Sequence, residues 1–454
     1  MLTIPEISQI TKGKCLQAGK VSKVNGVSID TRTIQKGYVY IAIKGHRLNG
    51  HAFLEAARRK GAVAAVVCEK VVCPADFAVI QVKDTTKALG LIAAWHRRQF
   101  NIPVIAVTGS TGKTTTKEMI AAVLSKRYKV LKNTKTENNQ FGVPLTLLRL
   151  NPSHQIAVLE LGTNRRGDIR WLAHITRPTA AVFTNIGDSH LAGLKNRRGV
   201  FTEKIQILKF MPPRGVVILN EDDAFLSTLH TQKIRQDIIG YACDAHAQYQ
   251  ARGISIVRNQ RLDFTVGRHT FQMKNPALHN VSNALAAISC GRHFKIRYND
   301  IRSALAGFRF SSARQEIARV GTCWLINDSY NANPLSLESA IRTLGALRIK
   351  GKRIAVVGDM LELGARSVAL HQSAGRMIAR SGTDIVLTTG RHARHTARAA
   401  KETGSGIRAV HCADLSGVHR WLKRVCAPGD AILVKGSRGM RLERTVDYLK
   451  KSFQ

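Results

Sequence analysis

Short apolar runs, each closed by a glycine or a polar turn, recur along most of this chain. "IPVIAVTG", "QIAVLELG", "TAAVFTNIG" and "GVVILNEDD" are apolar almost without alternation, the pattern of strands covered on both faces by helices. Helix-like stretches separate them, which predicts a parallel sheet with crossover helices. A further segment, starting near "FRFSSARQEIA", repeats the alternation with "TCWLIND", "RIAVVGD", "TDIVLTTG", "GIRAVHC" and "AILVKGS". The N-terminal part reads differently. There, short β-like runs ("VSIDTR", "YVYIAIKG", "VAAVV", "FAVIQV") surround one helical stretch, "HAFLEAARRKGA". The expectation is an α/β protein of three domains: a small α/β domain over 1–99, a central parallel-sheet domain over 100–312, and a Rossmann-like domain over 313–454. Sites are expected beyond the carboxyl ends of the strands.

Composition narrows the class. The 454 residues are 44% hydrophobic and 22% charged, which supports sizeable cores and excludes a disordered chain. The start, "MLTIPEISQITKGKCLQAGK", lacks the apolar stretch of a signal peptide. Runs such as "GAVAAVVCEKVVC" are too short and too charged to cross a bilayer, so no membrane insertion is expected. Eight cysteines without a CxxC pair argue against a zinc ribbon or a disulfide framework and for reduced thiols in the cytoplasm. Seventy Lys plus Arg against thirty Asp plus Glu leave a formal charge of +40, a field that attracts polyanions. The basic residues are spread from "AARRK" through "WHRRQF" and "KNRRG" to "WLKRVC". With no basic tail, a general basic bias is favoured over a dedicated polyanion surface.

One strand end carries phosphate chemistry. "VIAVTGSTGKTTT" runs a strand into a glycine loop and then a helix. Val107 stands where the full phosphate-loop pattern G-x-x-x-x-G-K-[ST] has its first glycine, so this is a variant. Gly109 and Gly112 let backbone N–H groups, with those of Ser110, Thr111 and Thr115, turn toward phosphate oxygens at a helix start. Lys113 can reach the β- and γ-phosphates, and the Thr114 hydroxyl can ligate Mg²⁺. ATP is the expected nucleotide. Downstream, "TENNQFGVPLTLL" offers Asn139 and Gln140 to a polar substrate. Glu160 ends the apolar strand in "AVLELGTN", where a carboxylate suits Mg²⁺. "VFTNIGDSHL" ends another with Asn185, Asp188 and His190.

Together with "SIDTRTIQKGYVYIAIKGHRLNGHAF", "HNVSNALAA", "DSYNANPLS", "GDMLELG" and "VKGSRG", these motifs resemble the Mur ligase family nearly from end to end. "FGVPLTLL", "LELGTN" and "DSYNANP" are most similar to the member that joins D-alanyl-D-alanine to UDP-N-acetylmuramoyl-tripeptide. The resemblance implies phosphoryl transfer from ATP to the tripeptide carboxylate, then attack by the dipeptide amine on the acyl phosphate. It implies two Mg²⁺ ions, one on Thr114 and Glu160, the other on His190 and a carbamylated Lys204, with Lys113, Lys204 and His190 as catalytic groups. It directs Asn283, Arg314, Asp328 and Asn331 to the nucleotide. Thr31, Arg32, Lys44 and the stretch "KGHRLNGH" resemble the region that holds the uridine nucleotide, and Lys435, Ser437 and Arg438 stand beside the substrates. The family also implies a monomer.

Some positions depart from that pattern: Arg166-Gly167-Asp168 where Pro-Gly-Glu is usual, Ala277 for a glycine, Asn49 for an aspartate, Thr31 for a serine and Gln206 for an acidic residue. None removes a phosphate or metal group. Rival readings are a sister amino acid ligase and a non-catalytic nucleotide binder. A third is a nucleic-acid-binding ATPase, which the charge would suit but which lacks an aromatic stacking platform at 6% aromatics. No nucleic-acid partner is expected.

Overall fold

The computed structural model describes residues 2–453 except 46–47, 135–136, 311–312 and 404–405; the expected boundary at 312 falls outside them. The N-terminal domain is a five-stranded sheet ordered Lys14–Gln17, Ala78–Gln81, Ala62–Val67, Tyr38–Ile41, Gly26–Ser28. Only its first strand runs antiparallel to its neighbour. The stretch "HAFLEAARR" is helical as expected, a 3₁₀ turn over Gly50–Phe53 leading into the helix Leu54–Arg59.

The central domain is a nine-stranded sheet. Its parallel part is ordered Val130–Lys132, Ile156–Glu160, Val104–Thr108, Ala180–Phe183, Val216–Asn220, Asp237–Ala242. The expected strands all form, and the residues of the first-predicted ones are fully buried. The chain goes to one side of Val104–Thr108, then returns to the other, so the strand order reverses there. That reversal opens a crevice at the strands' carboxyl ends. One feature was not expected from βα alternation: Tyr249–Val257, Arg261–Val266 and His269–Met273 extend the sheet in that order, the last two pairings being antiparallel.

The C-terminal sheet is ordered Glu316–Val320, Cys323–Asp328, Ala431–Lys435, Arg353–Gly358, Ile385–Thr389, Arg408–Cys412. All pairs are parallel except the first, the arrangement expected of a Rossmann-like domain. One apolar cluster includes residues of both the central and C-terminal domains, from Leu159 and Phe183 to Leu337 and Met360.

The joint between the first two domains is built on the helix Thr85–Arg98, capped at its start by Asp84. Near its end the buried Arg97 donates to three backbone carbonyls, those of Thr176 at 3.2 Å, Phe100 at 2.6 Å and Ile102 at 3.0 Å. Gly90 of the same helix lies so close to Trp171 that a Cβ would stand 2.6 Å from the indole.

Candidate active site

The phosphate loop leaves the strand Val104–Thr108 and enters the helix Lys113–Leu124, with Gly112 at its N-cap in the left-handed region (φ 77°). Gly109 has φ 155°, and a Cβ there would stand 1.8 Å from the Thr184 hydroxyl. A Gly109→Ala variant is therefore expected to lose about 2–3 kcal/mol from combined overpacking and backbone strain; an unchanged denaturation midpoint would refute this account of the loop. The loop is held from the neighbouring strand end. The Asn185 amide accepts the Thr111 N–H at 2.9 Å and donates to the Thr111 hydroxyl at 2.9 Å, and the Ser110 hydroxyl donates to the Gly187 carbonyl.

Two lysines converge under this loop. Lys113 folds back, its ammonium donating to the carbonyls of Gly109 at 2.9 Å and Ser110 at 3.3 Å. Lys204, buried near the end of the helix Arg197–Lys204, donates to the same Gly109 carbonyl at 2.8 Å. Burial, and then the Lys113 ammonium, hold Lys204 far below the ordinary lysine range. Burial lowers Lys113 as well, against the attraction of Glu160.

Glu160 ends its strand almost wholly buried. One carboxylate oxygen accepts from the Thr114 hydroxyl at 2.7 Å and the other from the Asn138 amide at 2.7 Å. The Asn133 side chain brackets its backbone, accepting its N–H at 2.9 Å and donating to its carbonyl at 3.0 Å. No ion pair reaches Glu160 among the described residues. A buried carboxylate bound only by neutral donors, beside a threonine hydroxyl and a phosphate loop, is a chemically fitting seat for a hard divalent cation. Among the described residues no group of three or more His, Cys, Asp or Glu could hold a metal.

The loop opens into a cleft of about 1380 Å³ shared with the C-terminal domain. From the central domain, Ser110 through Thr115, Asn139, Gln140, Glu160, His190 and Asn283 line it; from the C-terminal domain, Arg314, Asp328, Asn331 and Lys435. Gly109 and Lys204 are not among the residues that line it. The Asn283 carbonyl accepts from the Thr116 hydroxyl at 3.0 Å, and its amide donates to Asn280, so it braces the loop helix. Just before the helix Gly142–Leu147, the Asn139 side chain accepts the N–H groups of Phe141 and Gly142. Lys435 donates to Asp328 at 2.6 Å and to the Asn331 carbonyl at 2.9 Å. Arg314 stacks 4.2 Å over the Tyr330 ring, with Arg438 at 5.7 Å. Ser437 holds the chain, accepting from the Leu361 N–H and donating to the Ala332 carbonyl. His190 pairs through Nδ1 with Glu362 at 2.7 Å.

The uridine-side candidates stand apart from this cleft. Arg32 spends its fork on Asp30 (3.0 and 2.6 Å), Thr31 opens the turn Thr31–Thr33, and Lys44 pairs with Glu69 at 2.7 Å. His46 and Arg47 of "KGHRLNGH" lie outside the described residues. Sequence reasoning missed Asn133, Asn138, Tyr330, Glu362 and His279. The last lines the cleft with a buried Nδ1 that has no partner among the described residues, and burial, then Lys435, lowers its pKa to about 4. Only its place in "HNVSNALAA" could have signalled it.

The chain matches the Mur ligase family, catalytic domain, over residues 23–97, the Mur ligase middle domain over 107–291, and the Mur ligase glutamate ligase domain over 313–438. It is 36% identical to the UDP-N-acetylmuramoyl-tripeptide–D-alanyl-D-alanine ligase of Bacillus subtilis, over 99% of this chain and 98% of the relative. The chain belongs to the Mur ligase family. Among solved structures, this Mur ligase superposes on MurF from Acinetobacter baumannii with a TM-score of 0.90 at 28% identity, covering 99% of each chain. It superposes on MurF ligase from Thermotoga maritima in complex with ADP with a TM-score of 0.83 at 26% identity, covering 95% of this chain and 98% of that one. The three-domain architecture expected from the strand pattern is thus that of the family. Among the described residues of this Mur ligase no helix is long and apolar enough to cross a membrane.

Proposed function

We propose that this Mur ligase joins D-alanyl-D-alanine to the stem carboxylate of UDP-N-acetylmuramoyl-tripeptide at the expense of ATP, giving the pentapeptide precursor of peptidoglycan. The observation that carries the reading is the single cleft onto which the loop lysine, its threonine and a buried strand-end carboxylate all open. The relatives' shared activity supplies the substrates. In the reaction, a tripeptide carboxylate oxygen attacks the γ-phosphorus and ADP leaves. The dipeptide amine attacks the acyl phosphate carbonyl, and the tetrahedral intermediate expels phosphate as the amine proton passes to solvent.

Backbone N–H groups of residues 112–115 hold the phosphate chain at the positive end of the helix Lys113–Leu124, while those of Ser110 and Thr111 are held by Asn185. Lys113 leaves its two carbonyls to neutralise the transferring group. Thr114 and Glu160 would hold one Mg²⁺, and His190 with a carbamylated Lys204 a second, the ions supplying Lewis-acid neutralisation of phosphoryl oxygens. The depressed Lys204 supports the carbamate, because only a neutral amine adds carbon dioxide, releasing a proton. The product is an anion that attracts Lys113 instead of repelling it. Eight free cysteines fit a reducing, cytoplasmic setting.

The direct test is phosphate release from ATP and Mg²⁺ with UDP-tripeptide, with and without D-alanyl-D-alanine. Dipeptide-dependent release, with the UDP-pentapeptide seen by mass spectrometry, is expected. Release that ignores both substrates and rises with RNA or DNA would instead establish a nucleic-acid-dependent ATPase.

A further inference from the structure

His190 belongs to the central domain, yet the group that fixes its ring comes from the C-terminal domain. The Glu362 carboxylate sits 2.7 Å from His190 Nδ1. Both residues are held in the left-handed region, His190 at φ 54° and Glu362 at φ 64°, a conformation that non-glycine residues keep only where the surroundings enforce it. The surroundings do so. The Ala192 N–H donates to the Glu362 carbonyl at 3.1 Å, and a Cβ on Gly364 would stand 3.4 Å from the Ala192 Cα. Two residues before His190, the buried Asp188 accepts from Arg197 at 2.8 Å and from Arg366 at 3.2 Å. The loop of residues 359–366 is therefore keyed onto the loop of residues 188–197 beside the cleft that His190 lines.

A carboxylate on Nδ1 fixes the imidazole with its proton on that nitrogen and leaves the Nε2 lone pair for a cation, the arrangement by which outer groups orient metal-binding histidines. We propose that Glu362 is a positioning residue for His190, and that the second cation site is complete only when the C-terminal domain is seated on the 188–197 loop. This rests on the reading of His190 as a cation ligand. Its consequence is an order of events: a nucleotide bound with the C-terminal domain unseated has one cation in place, and seating the domain supplies the aim for the other.

The test is Mn²⁺ titration followed by electron paramagnetic resonance, in the presence of a non-hydrolysable ATP analogue and UDP-tripeptide, on the full chain and three variants. Glu362→Ala is expected to weaken the second Mn²⁺ by roughly 10- to 100-fold while the first keeps its affinity, which also reports that the variant is folded. Arg366→Ala removes an interdomain contact without touching His190 and is expected to leave the first ion unchanged and to weaken the second by much less than Glu362→Ala does. His190→Ala is expected to abolish the second ion. If His190→Ala abolishes it but Glu362→Ala does not weaken it, the positioning role is overturned and the ligand reading stands. If Arg366→Ala weakens it as much as Glu362→Ala, Glu362 is only a docking contact and the proposal falls. If His190→Ala leaves two ions bound, the ligand reading itself fails.

Discussion

A Lys113→Ala variant is expected to lose about 10³-fold or more in kcat with little change in KM for the UDP-tripeptide. The structure shows why the effect belongs to the chemical step. The ammonium is stored on the loop, on the carbonyls of Gly109 and Ser110, and has no carboxylate partner among the described ion pairs. Swinging onto phosphate exchanges two neutral acceptors for charged ones, whose hydrogen bonds are roughly twice as strong. That gain is largest where negative charge builds during transfer. Lys113→Arg is not expected to rescue, because the planar fork neither rests on the same carbonyls nor acts as a point charge. Steady-state kinetics decide the matter, and a kcat within tenfold of the parent for Lys113→Ala would remove the phosphate loop from the mechanism.

The second large effect separates activity from stability. Lys204→Met keeps much of the side-chain volume and removes an amine whose only hydrogen-bond partner among the described residues is the Gly109 carbonyl. Replacing a buried charged or polar group by a well-packed apolar one is often neutral or stabilising, so its melting temperature is expected to equal or exceed the parent's. Its kcat is expected to fall by roughly 10³-fold, since the proposed carbamate is gone. Lys204→Ala should be equally inactive but leaves space, and short-chain carboxylates are expected to restore part of its activity. A Lys204→Met enzyme that remains active would show that Lys204 acts through packing alone.

The strands and the phosphate loop were legible because burial on both faces leaves runs of apolar residues that need no partner to be recognised. "VIAVTG" and "AVLELG" announce themselves as local signals. The antiparallel extension over residues 249–273 was not legible, because its strands are half exposed and broken by Gly253 and Gly267, and such patterns also describe loops. Among site residues, those on the loop were readable from spacing. Their supports were not: Asn133 and Asn138 act on Glu160 across the sheet, and Glu362 meets His190 from 172 positions away. No periodicity encodes a contact between domains. The family resemblance supplied roles for Asn283 and Arg314 that no local pattern suggests, and their side chains here meet Thr116 and Tyr330.

The Arg97 joint has a consequence for which peptides react. Three carbonyls anchored by one buried guanidinium, and a glycine pressed against Trp171, leave the N-terminal and central domains little freedom to shift against each other. If the uridine end is held on the first domain, its distance from the γ-phosphate is then fixed by the protein and not by the substrate. The pair acts as a ruler. A stem one residue short places its carboxylate below the mark and a longer one overshoots it, so chain length is read before any side chain is.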